Sequence, residues 1–328
     1  MGGRAYVLGK VFQAFLTLVL ILIFNFFLFR IIPADPVKLL VRSSGHNMTE
    51  AQQDRLRHDL GLDLPVFPGQ FIAYLKDTSR LNLGQSLFVS PGESVSSVFF
   101  RNLWPTLLLV GTSTIASTAL GIWMGIYGGW RRGGFGDVSF MGSSLVLYAI
   151  PEFVLGILFL LLFGTALGWF PTGGFQSATG DYTGLAHVTD VLNHMFLPWL
   201  TLTLAYVGEF YLIMRSSLLD VLGEDYITLA RAKGLREKVV LNKHAVRNAL
   251  LPTVTLIALS FAFVLGGAIT VETVFSYPGV GYLELEAIRS KDFPLLEGLF
   301  LFFAAAVIVA NLVADLLYGY LDPRVRTA

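Results

Sequence analysis

LTLVLILIFNFFLF, residues 16–29, decides the fold class of this chain. A soluble amphipathic helix needs polar residues at a period of 3.6, and this stretch offers only Thr17 and Asn25. An α-helix of about 20 apolar residues crosses a hydrocarbon core of about 30 Å. Because lipid offers no hydrogen-bond partners, the backbone groups must be paired within the segment, which requires a helix. The stretch therefore predicts a transmembrane helix over 11–32.

The composition of the whole chain is that of a membrane protein. Of its 328 residues, 54% are apolar and only 14% are charged, whereas about a quarter is charged in soluble domains. Lys+Arg and Asp+Glu are both 23, so the net charge indicates no nucleic-acid or other strongly charged partner. The absence of cysteine excludes disulfides, thiolate metal ligands and a thiol nucleophile. The first apolar run is too long for the core of a cleavable signal peptide.

Five further apolar runs bring the number of predicted membrane spans to six. They cover 105–128, 138–164, 195–214, 251–271 and 296–319. The positions of Lys and Arg predict the orientation, because cytoplasmic loops are enriched in them. Thirteen of the 23 fall on the side of the two termini, whereas the two short loops on the other side hold two. Both termini are therefore predicted to be cytoplasmic.

The sequence thus predicts an all-α, polytopic integral membrane protein of one domain, residues 1–328. Its core spans lie within 104–320, its cytoplasmic loop covers 215–252, and an extracytoplasmic helical loop covers 33–102. The helical loop is interpreted as a cap over the mouths of the helices, a role that is compatible with its being a landing surface for an extracytoplasmic partner.

The extracytoplasmic loop carries its own helix signals. Thr49 followed by Gln52 is a capping box, which predicts a short helix near 50–60. Two prolines then interrupt the chain before a second helix, predicted near 69–78. Apolar residues at helical spacing over 92–103 predict a third helix that lies along the membrane surface.

Residues 230–252, ARAKGLREKVVLNKHAVRNALLP, interrupt the apolar spans with a basic segment. The helical pattern of the fourth span continues outward to Ala230, and Gly234 permits a sharp turn because glycine adopts positive φ cheaply. A second helix then leads to Pro252, which is predicted to lie in the first turn of the fifth span. Basic residues beside a membrane can serve topology alone. Small residues at the corner nevertheless let another backbone approach, so the sequence predicts a hairpin held in an acidic groove of a partner.

Motifs of enzyme chemistry are absent from the sequence. No stretch matches the phosphate-binding pattern GxxxxGK[ST], and the Gly-rich segment GGWRRGGFG (128–136) is interpreted as a short cytoplasmic turn. There is no HExxH motif, and the five histidines are scattered along the chain. The chain is therefore predicted not to be an enzyme.

The segment DYITLARAKGLREKVVLNKHAVRNALLPTVT (225–255) resembles the EAA loop of ABC-importer permeases, in its peptide-transporter version. Other segments resemble the same family: IIPADPV (31–37), MTEAQQDRLRHDLGLDLP (48–65), LWPTLLL (103–109) and GGAITVETVFSYPGVGYL (266–283). The likeness covers nearly the whole chain and is to the first, B-type permease of dipeptide/oligopeptide (peptide/nickel) importers. One departure is that Thr228 and Leu229 replace the first two residues of the Glu-Ala-Ala motif, which bears on the subfamily.

This resemblance implies a type I ABC importer permease fold in a bacterial or archaeal plasma membrane. It implies that the chain forms half of the translocation path for di- or oligopeptides, with oligosaccharides, nickel or glutathione as alternative cargo. The implied partners are a second homologous permease subunit, two ATP-binding subunits, an extracytoplasmic substrate-binding protein and the lipid bilayer. The chain itself is expected to hold no cofactor, because ATP and Mg are bound by the ATPase subunits.

The resemblance also assigns residues to the coupling of ATP hydrolysis. The implied ATPase contacts are Asp225, Tyr226, Ala230, Arg231, Ala232, Lys233 and Gly234, with His244, Arg247 and Asn248 in support. For the binding protein, the segment after the fifth span is implied, namely Glu272, Phe275, Tyr277, Pro278 and Gly279. The alternative for that second set is a re-entrant plug that packs against the fifth and sixth spans.

Glu152 follows Pro151 near the middle of the third apolar run. A charge at that depth costs at least about 2.5–3.5 kcal/mol, so an acid there indicates a function. The hypothesis is that Glu152 lines the translocation path and attracts a cationic end of the substrate. The alternative is that it is protonated and bonded to a neighbouring helix.

Gly121 and Gly125 form a GxxxG pattern in the second span. Small residues at this spacing bring helices together in lipid. The pattern is explained either by packing between helices or by a moving seam between subunits.

Two rival functions come from other classes. A carrier driven by an ion gradient predicts internal repeats and paired broken helices. No convincing duplication is found among the six predicted spans. A membrane receptor or scaffold would instead use the basic hairpin to dock a signalling protein.

Overall fold

The computed structural model describes residues 3–31, 37, 49–59, 63–177, 182–264 and 266–321. These residues are almost entirely helical, and apart from an isolated bridge between Gln85 and Ser94 the described ranges contain no β structure. In chain order the helices are α1 (Gly3–Ile31), α2 (Glu50–Asp59), α3 (Phe71–Ser79), α4 (Val95–Thr106), α5 (Thr112–Trp130), α6 (Phe135–Ala149), α7 (Glu152–Phe159), α8 (Leu185–Leu222), α9 (Asp225–Ala232), α10 (Glu237–Val239), α11 (Val246–Val264), α12 (Ile269–Val274), α13 (Val280–Ser290) and α14 (Phe293–Leu321). Wider π-helical turns occur at Val66–Gln70, Leu107–Gly111, Leu160–Ala166 and Val240–Ala245.

Helices long and apolar enough to cross a membrane account for most of the predicted spans. Among the described residues they are Tyr6–Arg30, Val95–Trp130, Leu185–Leu222 and Phe293–Val313. The bent pair α6 and α7 adds a fifth if it is counted as one span. The predicted span 251–271 overlaps α11 and the start of α12. An all-helical membrane protein is therefore confirmed, while the count of six spans and the side of the termini stay predictions.

The third predicted span is bent sharply. α6 and α7 meet at 98°. Pro151 has no N–H to donate, and its ring drives the preceding residue out of the helical conformation. Ile150 accordingly has φ −83° and ψ 123°. The third predicted span is therefore not one straight helix, and Glu152 becomes the first residue of α7.

The segment 92–103 is not a separate surface helix. α4 begins at Val95 and continues through Leu107–Gly111 into α5, which makes a single stretch of 36 residues. Val95 and Val98 are fully buried. Their helical spacing therefore reflects packing inside the protein, which the periodicity alone does not distinguish from contact with a membrane surface.

The chain forms two compact units, of which the first comprises the described parts of Met1–Asn102 and Leu283–Ala328. In this unit, the Thr49 N–H donates to Gln52 Oε1 at 2.9 Å, as the capping box at the start of α2 predicts. Asn25, the polar residue of the most apolar stretch, is fully buried. Its amide donates to the Tyr74 hydroxyl at 3.0 Å and to the Glu297 carbonyl at 3.2 Å. The protein therefore provides the acceptors for the Asn25 NH₂ group that lipid cannot.

The second unit, Leu103–Tyr282, is built on close packing of α5 against α8. A Cβ atom on Gly121 would lie 3.0 Å from the backbone N of Tyr211, and one on Gly125 would lie 3.0 Å from its O. Both glycines are buried. The GxxxG pattern thus serves helix packing within this chain, which is the first of the two explanations.

Candidate functional site

The basic segment folds as a hairpin, which we call the basic hairpin (225–249). Gly234 joins its arms with φ +75°, the left-handed conformation that favours glycine. Its inner face packs on the end of α8 through an apolar cluster of Met214, Leu218, Ile227, Ala230, Val240, Ala245 and Ala249. Because this cluster is fully buried or nearly so, the hairpin is held as one body with that end of α8.

Most of the predicted ATPase contacts lie on the exposed face of the basic hairpin. The exposed members are Asp225, Tyr226, Arg231, Ala232, Lys233, Gly234, Arg247 and Asn248, and His244 is half-buried. Ala230 is the exception, with 5% exposure, because it follows Ile227 by three residues and shares its buried face. Tyr226 and Asn248 are linked, since the Asn248 amide donates to the Tyr226 hydroxyl at 2.9 Å.

The tip of the basic hairpin combines apolar and basic groups. Leu229 is 55% exposed and Leu235 is 38% exposed. Arg231 beside them has its Nε 3.3 Å from Glu237 Oε1, and its guanidinium lies 5.8 Å from the ring centroid of Trp130 at the end of α5. An apolar centre with a basic rim fits a groove with an acidic rim. Leu229 was not predicted as a contact, because a single leucine is ordinary on a protein surface and its exposure is known only from the fold.

The second arm of the basic hairpin runs into the fifth predicted span. Pro252 lies inside α11 and not in its first turn, which corrects the prediction. The residues before Pro252 are already helical, since the wider turn Val240–Ala245 leads directly into Val246. A proline inside a membrane helix is tolerated where neighbouring groups pair with the freed backbone atoms.

Glu152 lies at the bend between α6 and α7. Its Oε2 accepts a hydrogen bond from the Tyr206 hydroxyl at 2.9 Å, and its Oε1 accepts one from the Thr270 hydroxyl. Glu152 is half-buried, whereas Pro151 and Thr270 are exposed. Glu152 is thus bonded to neighbouring helices, as part of the second alternative expects, and it lies beside exposed residues. That Glu152 lines the translocation path stays a prediction. The position of Glu152 in the first turn of α7 favours a negative charge.

Glu272 organises the segment after the fifth predicted span. Its carboxylate is fully buried. Oε1 accepts from the Thr106 hydroxyl at 2.9 Å and from the Ala268 N–H at 3.2 Å, and Oε2 accepts from the Tyr282 N–H at 2.9 Å. Burial raises the pKa of this carboxyl, and the N–H groups of Tyr282 and Ala268 lower it. Gly267 has φ +75°, and a Cβ there would lie 2.8 Å from the Gly281 N.

The five residues predicted to contact a binding protein face mainly inward. Glu272, Phe275, Tyr277 and Gly279 are buried, and Pro278 is half-buried. The Tyr277 hydroxyl donates to the Pro105 carbonyl at 3.3 Å. Within the second unit, this inward packing of residues 272–279 is the kind of contact that the alternative of a re-entrant plug predicts. Contact with a binding protein stays a prediction, and in this conformation Ser276 is the exposed residue of the turn.

A buried ion pair was missed by the sequence analysis. Arg215 of α8 donates to the carboxylate of Asp137 of α6 from Nε at 2.5 Å and from Nη2 at 2.7 Å. The Tyr211 hydroxyl donates to the same carboxylate at 3.2 Å, and the Gly133 N–H does so at 3.0 Å. Asp137 is 1% exposed. The two charges are 78 residues apart, so the sequence offers only the weak signal of one acid and one base, each at the end of an apolar run.

No cofactor site is evident in the part of the chain that the structure describes. No group of three His, Cys, Asp or Glu residues there is placed to hold a metal ion. The Gly-rich segment 128–136 contains the predicted turn, at 131–134 between α5 and α6, and its Gly133 N–H is already bonded to Asp137. That the chain itself holds no cofactor stays a prediction.

The sequence is similar to a family of transport proteins. Residues 117–327 match the family described as "Binding-protein-dependent transport system inner membrane component", and residues 4–90 match the N-terminal region of such components. The oligopeptide transport system permease protein AppB of Bacillus subtilis is 32% identical over 98% of this chain and 99% of its own length. The glutathione transport system permease protein GsiC of Pectobacterium atrosepticum is 34% identical over 94% and 95%, respectively. A Brucella ovis protein with the provisional name peptide permease is 38% identical over 92% of both chains.

Proposed function

The chain belongs to the family of binding-protein-dependent transport system inner membrane components, and from this premise we propose that it forms half of the translocation path of an ATP-driven peptide importer. It is a multi-pass protein of the inner membrane and a permease component of an ABC transporter. Membership in this family argues against the two rival functions, an ion-coupled carrier and a membrane receptor or scaffold.

The basic hairpin is the observation that carries the proposal. Its tip is exposed and basic with an apolar centre, and its inner face is packed on α8. A partner that grips this tip would move α8 with it. In the proposal the partner is an ATPase subunit, which binds ATP and Mg and supplies the hydrolysis that the permease does not carry out.

The proposed complex has five subunits. This chain pairs with a second, homologous permease, each permease engages one ATP-binding subunit through its hairpin, and a substrate-binding protein delivers cargo from outside. The family description supports dependence on a binding protein. The turn 275–279 is proposed to reach that protein once the segment held by Glu272 opens.

Peptides are the proposed cargo because the relatives named above include an oligopeptide permease and a glutathione permease, and glutathione is itself a small peptide. Glu152 is proposed to line the path and to attract the cationic amino end of the cargo. Its half-buried carboxylate lies beside exposed Thr270 and Pro151, which supports this role.

Reconstitution of the complex in lipid vesicles tests the proposal. The chain, its second permease, its ATPases and its binding protein are assembled, and uptake of a labelled dipeptide, a labelled pentapeptide and labelled glutathione is measured with and without ATP. We expect ATP-dependent uptake of at least one of the peptides. Preference for glutathione over both the dipeptide and the pentapeptide would identify glutathione as the cargo. ATP-independent uptake would contradict the proposal. Nickel and oligosaccharides serve as competitors in the same assay.

A further inference from the structure

Helix α6 is tied to α8 at its first turn by the Asp137–Arg215 ion pair. Two parallel hydrogen bonds from one guanidinium make this contact directional as well as strong. The Tyr211 hydroxyl and the Gly133 N–H complete the set of donors around the carboxylate. Arg215 has no second carboxylate among its ion pairs in the described residues. The pair is therefore a fixed joint between the two helices.

The joint lies next to the part of α8 that carries the basic hairpin. Met214 immediately precedes Arg215, and Leu218 follows it by one turn, and both belong to the buried cluster beneath the hairpin. A displacement of the hairpin therefore acts on α8 within one helical turn of Arg215. Since a close-packed cluster deforms little, the displacement reaches the guanidinium.

At the other end, α6 leads to the bend that holds Glu152. Between the two ends, α6 and α8 run backbone to backbone, because a Cβ on Gly208 would lie 2.7 Å from the Ser144 carbonyl oxygen. The Ser144 hydroxyl in this contact is buried and has no hydrogen-bond partner. The middle of the contact between α6 and α8 thus consists of small residues with little polar bonding. The strong polar link between the two helices is the Asp137–Arg215 pair at the first turn of α6.

We propose that the Asp137–Arg215 pair is a positioning joint that makes α6 follow α8, so that movement of the basic hairpin changes the bend at Pro151. The pair acts through the helices and does not touch cargo. This inference rests on the proposed function, since it requires a partner that moves the hairpin.

The test uses the reconstituted complex and measures uptake of labelled dipeptide, or of glutathione if the wild type prefers it, together with ATP hydrolysis. Asp137→Asn combined with Arg215→Gln removes both charges of the pair and so avoids leaving the buried Asp137 charge unpaired. We expect assembly and ATP hydrolysis to persist while cargo transported per ATP falls about tenfold, within the usual range of coupling between sites. Ser144→Ala, a matched control on the same helix contact, should leave this ratio unchanged.

A second variant distinguishes a joint from a merely structural contact. The chain has no cysteine, so Asp137→Cys with Arg215→Cys provides a unique pair for a short thiol-specific cross-linker. Before cross-linking, the ratio of cargo to ATP should be low, and after cross-linking it should recover at least severalfold. A ratio equal to that of the wild type in the assembled neutral double variant, or no recovery after cross-linking, would overturn the inference while leaving the proposed function intact. A wild-type complex without ATP-dependent uptake would overturn both.

Discussion

The Thr106 hydroxyl donates to Glu272 Oε1 at 2.9 Å and accepts from the Val280 N–H at 2.8 Å, so one threonine links the end of α4 to both sides of the turn at 275–279. Neither Thr106 nor Glu272 is exposed. Every recorded partner of the Glu272 carboxyl group is a donor, so its hydrogen bonds favour the charged form while its burial favours the neutral form. The segment predicted to meet a binding protein is thereby held closed by a buried, hydrogen-bonded carboxyl group.

Glu272→Gln should destabilise the protein. An amide offers one acceptor oxygen, so its NH₂ group would face at least one of the N–H donors of Ala268 and Tyr282. We expect a loss of about 1–3 kcal/mol in the free energy of unfolding, the cost of a buried group left without a partner. Thermal unfolding of the detergent-solubilised protein measures it. An unchanged transition would mean that the carboxyl is protonated.

Asp292→Ala should loosen the loop over 80–94. The Asp292 carboxylate is fully buried and accepts from the Ser86 hydroxyl at 2.6 Å and from the N–H groups of residues 87, 88 and 89. We expect the free energy of unfolding to fall by about 3 kcal/mol, because hydrogen bonds to a charged group are each worth about 1.5–3 kcal/mol. Limited proteolysis of the loop over 80–94 provides the measurement.

The control for Asp292→Ala lies in the same loop. Glu93→Gln breaks an exposed ion pair, in which Glu93 Oε2 lies 2.7 Å from Arg101 Nη1. Exposed pairs contribute about 0–1 kcal/mol, so proteolysis should change little. Equal sensitivity of the two variants would show that Asp292 does not hold the loop.

Gly234→Val should reduce binding of the ATPase. A β-branched side chain at φ +75° strains the tip of the basic hairpin, although no atom obstructs the Cβ within 4 Å. Gly84→Val is the matched control, because Gly84 has φ +80° and equally open space but lies outside the basic hairpin. We expect co-purification of the ATPase to fall only in the first variant. A similar loss in both would indicate general misfolding.

Glu152→Gln should lower uptake of cargo with a free amino end. Removing the charge of Glu152 weakens about one charge-assisted hydrogen bond to the amino end of the cargo. This loss corresponds to about a tenfold decrease in uptake. Glu209→Gln is the control, because Glu209 is another half-buried acid of the second unit and lies on α8. Uptake is measured per assembled complex. Normal uptake by assembled Glu152→Gln would remove Glu152 from the path.

Gly125→Ala should destabilise the contact between α5 and α8. Its Cβ would lie 2.7 Å from Met214 Cβ and 3.0 Å from the Tyr211 carbonyl oxygen, so backbone atoms would have to move. Overpacking of this kind costs about 1–3 kcal/mol. Gly142→Ala on α6 has no atom within 4 Å and should be neutral or slightly stabilising. Thermal unfolding compares the two, and an equal response would show that the contact is loose.

Much of the architecture was predictable because its causes are local in sequence. The run 16–29 excludes a polar face, and the Thr49 capping box marks the start of α2. The turn of the basic hairpin also followed from the sequence, since Gly234 adopts the positive φ that glycine permits. Helix periodicity requires only neighbouring residues, so no knowledge of the fold is needed.

By itself, then, the sequence determined that this protein crosses a membrane with helices and projects a basic hairpin, because the cost of exposing backbone and charge to lipid acts on contiguous residues. The tertiary structure alone decided the closure of the turn by Glu272 and the pairing of Asp137 with Arg215. These depend on which distant groups packing brings within hydrogen-bonding distance of one another, and burying a polar group costs free energy unless such a partner is present.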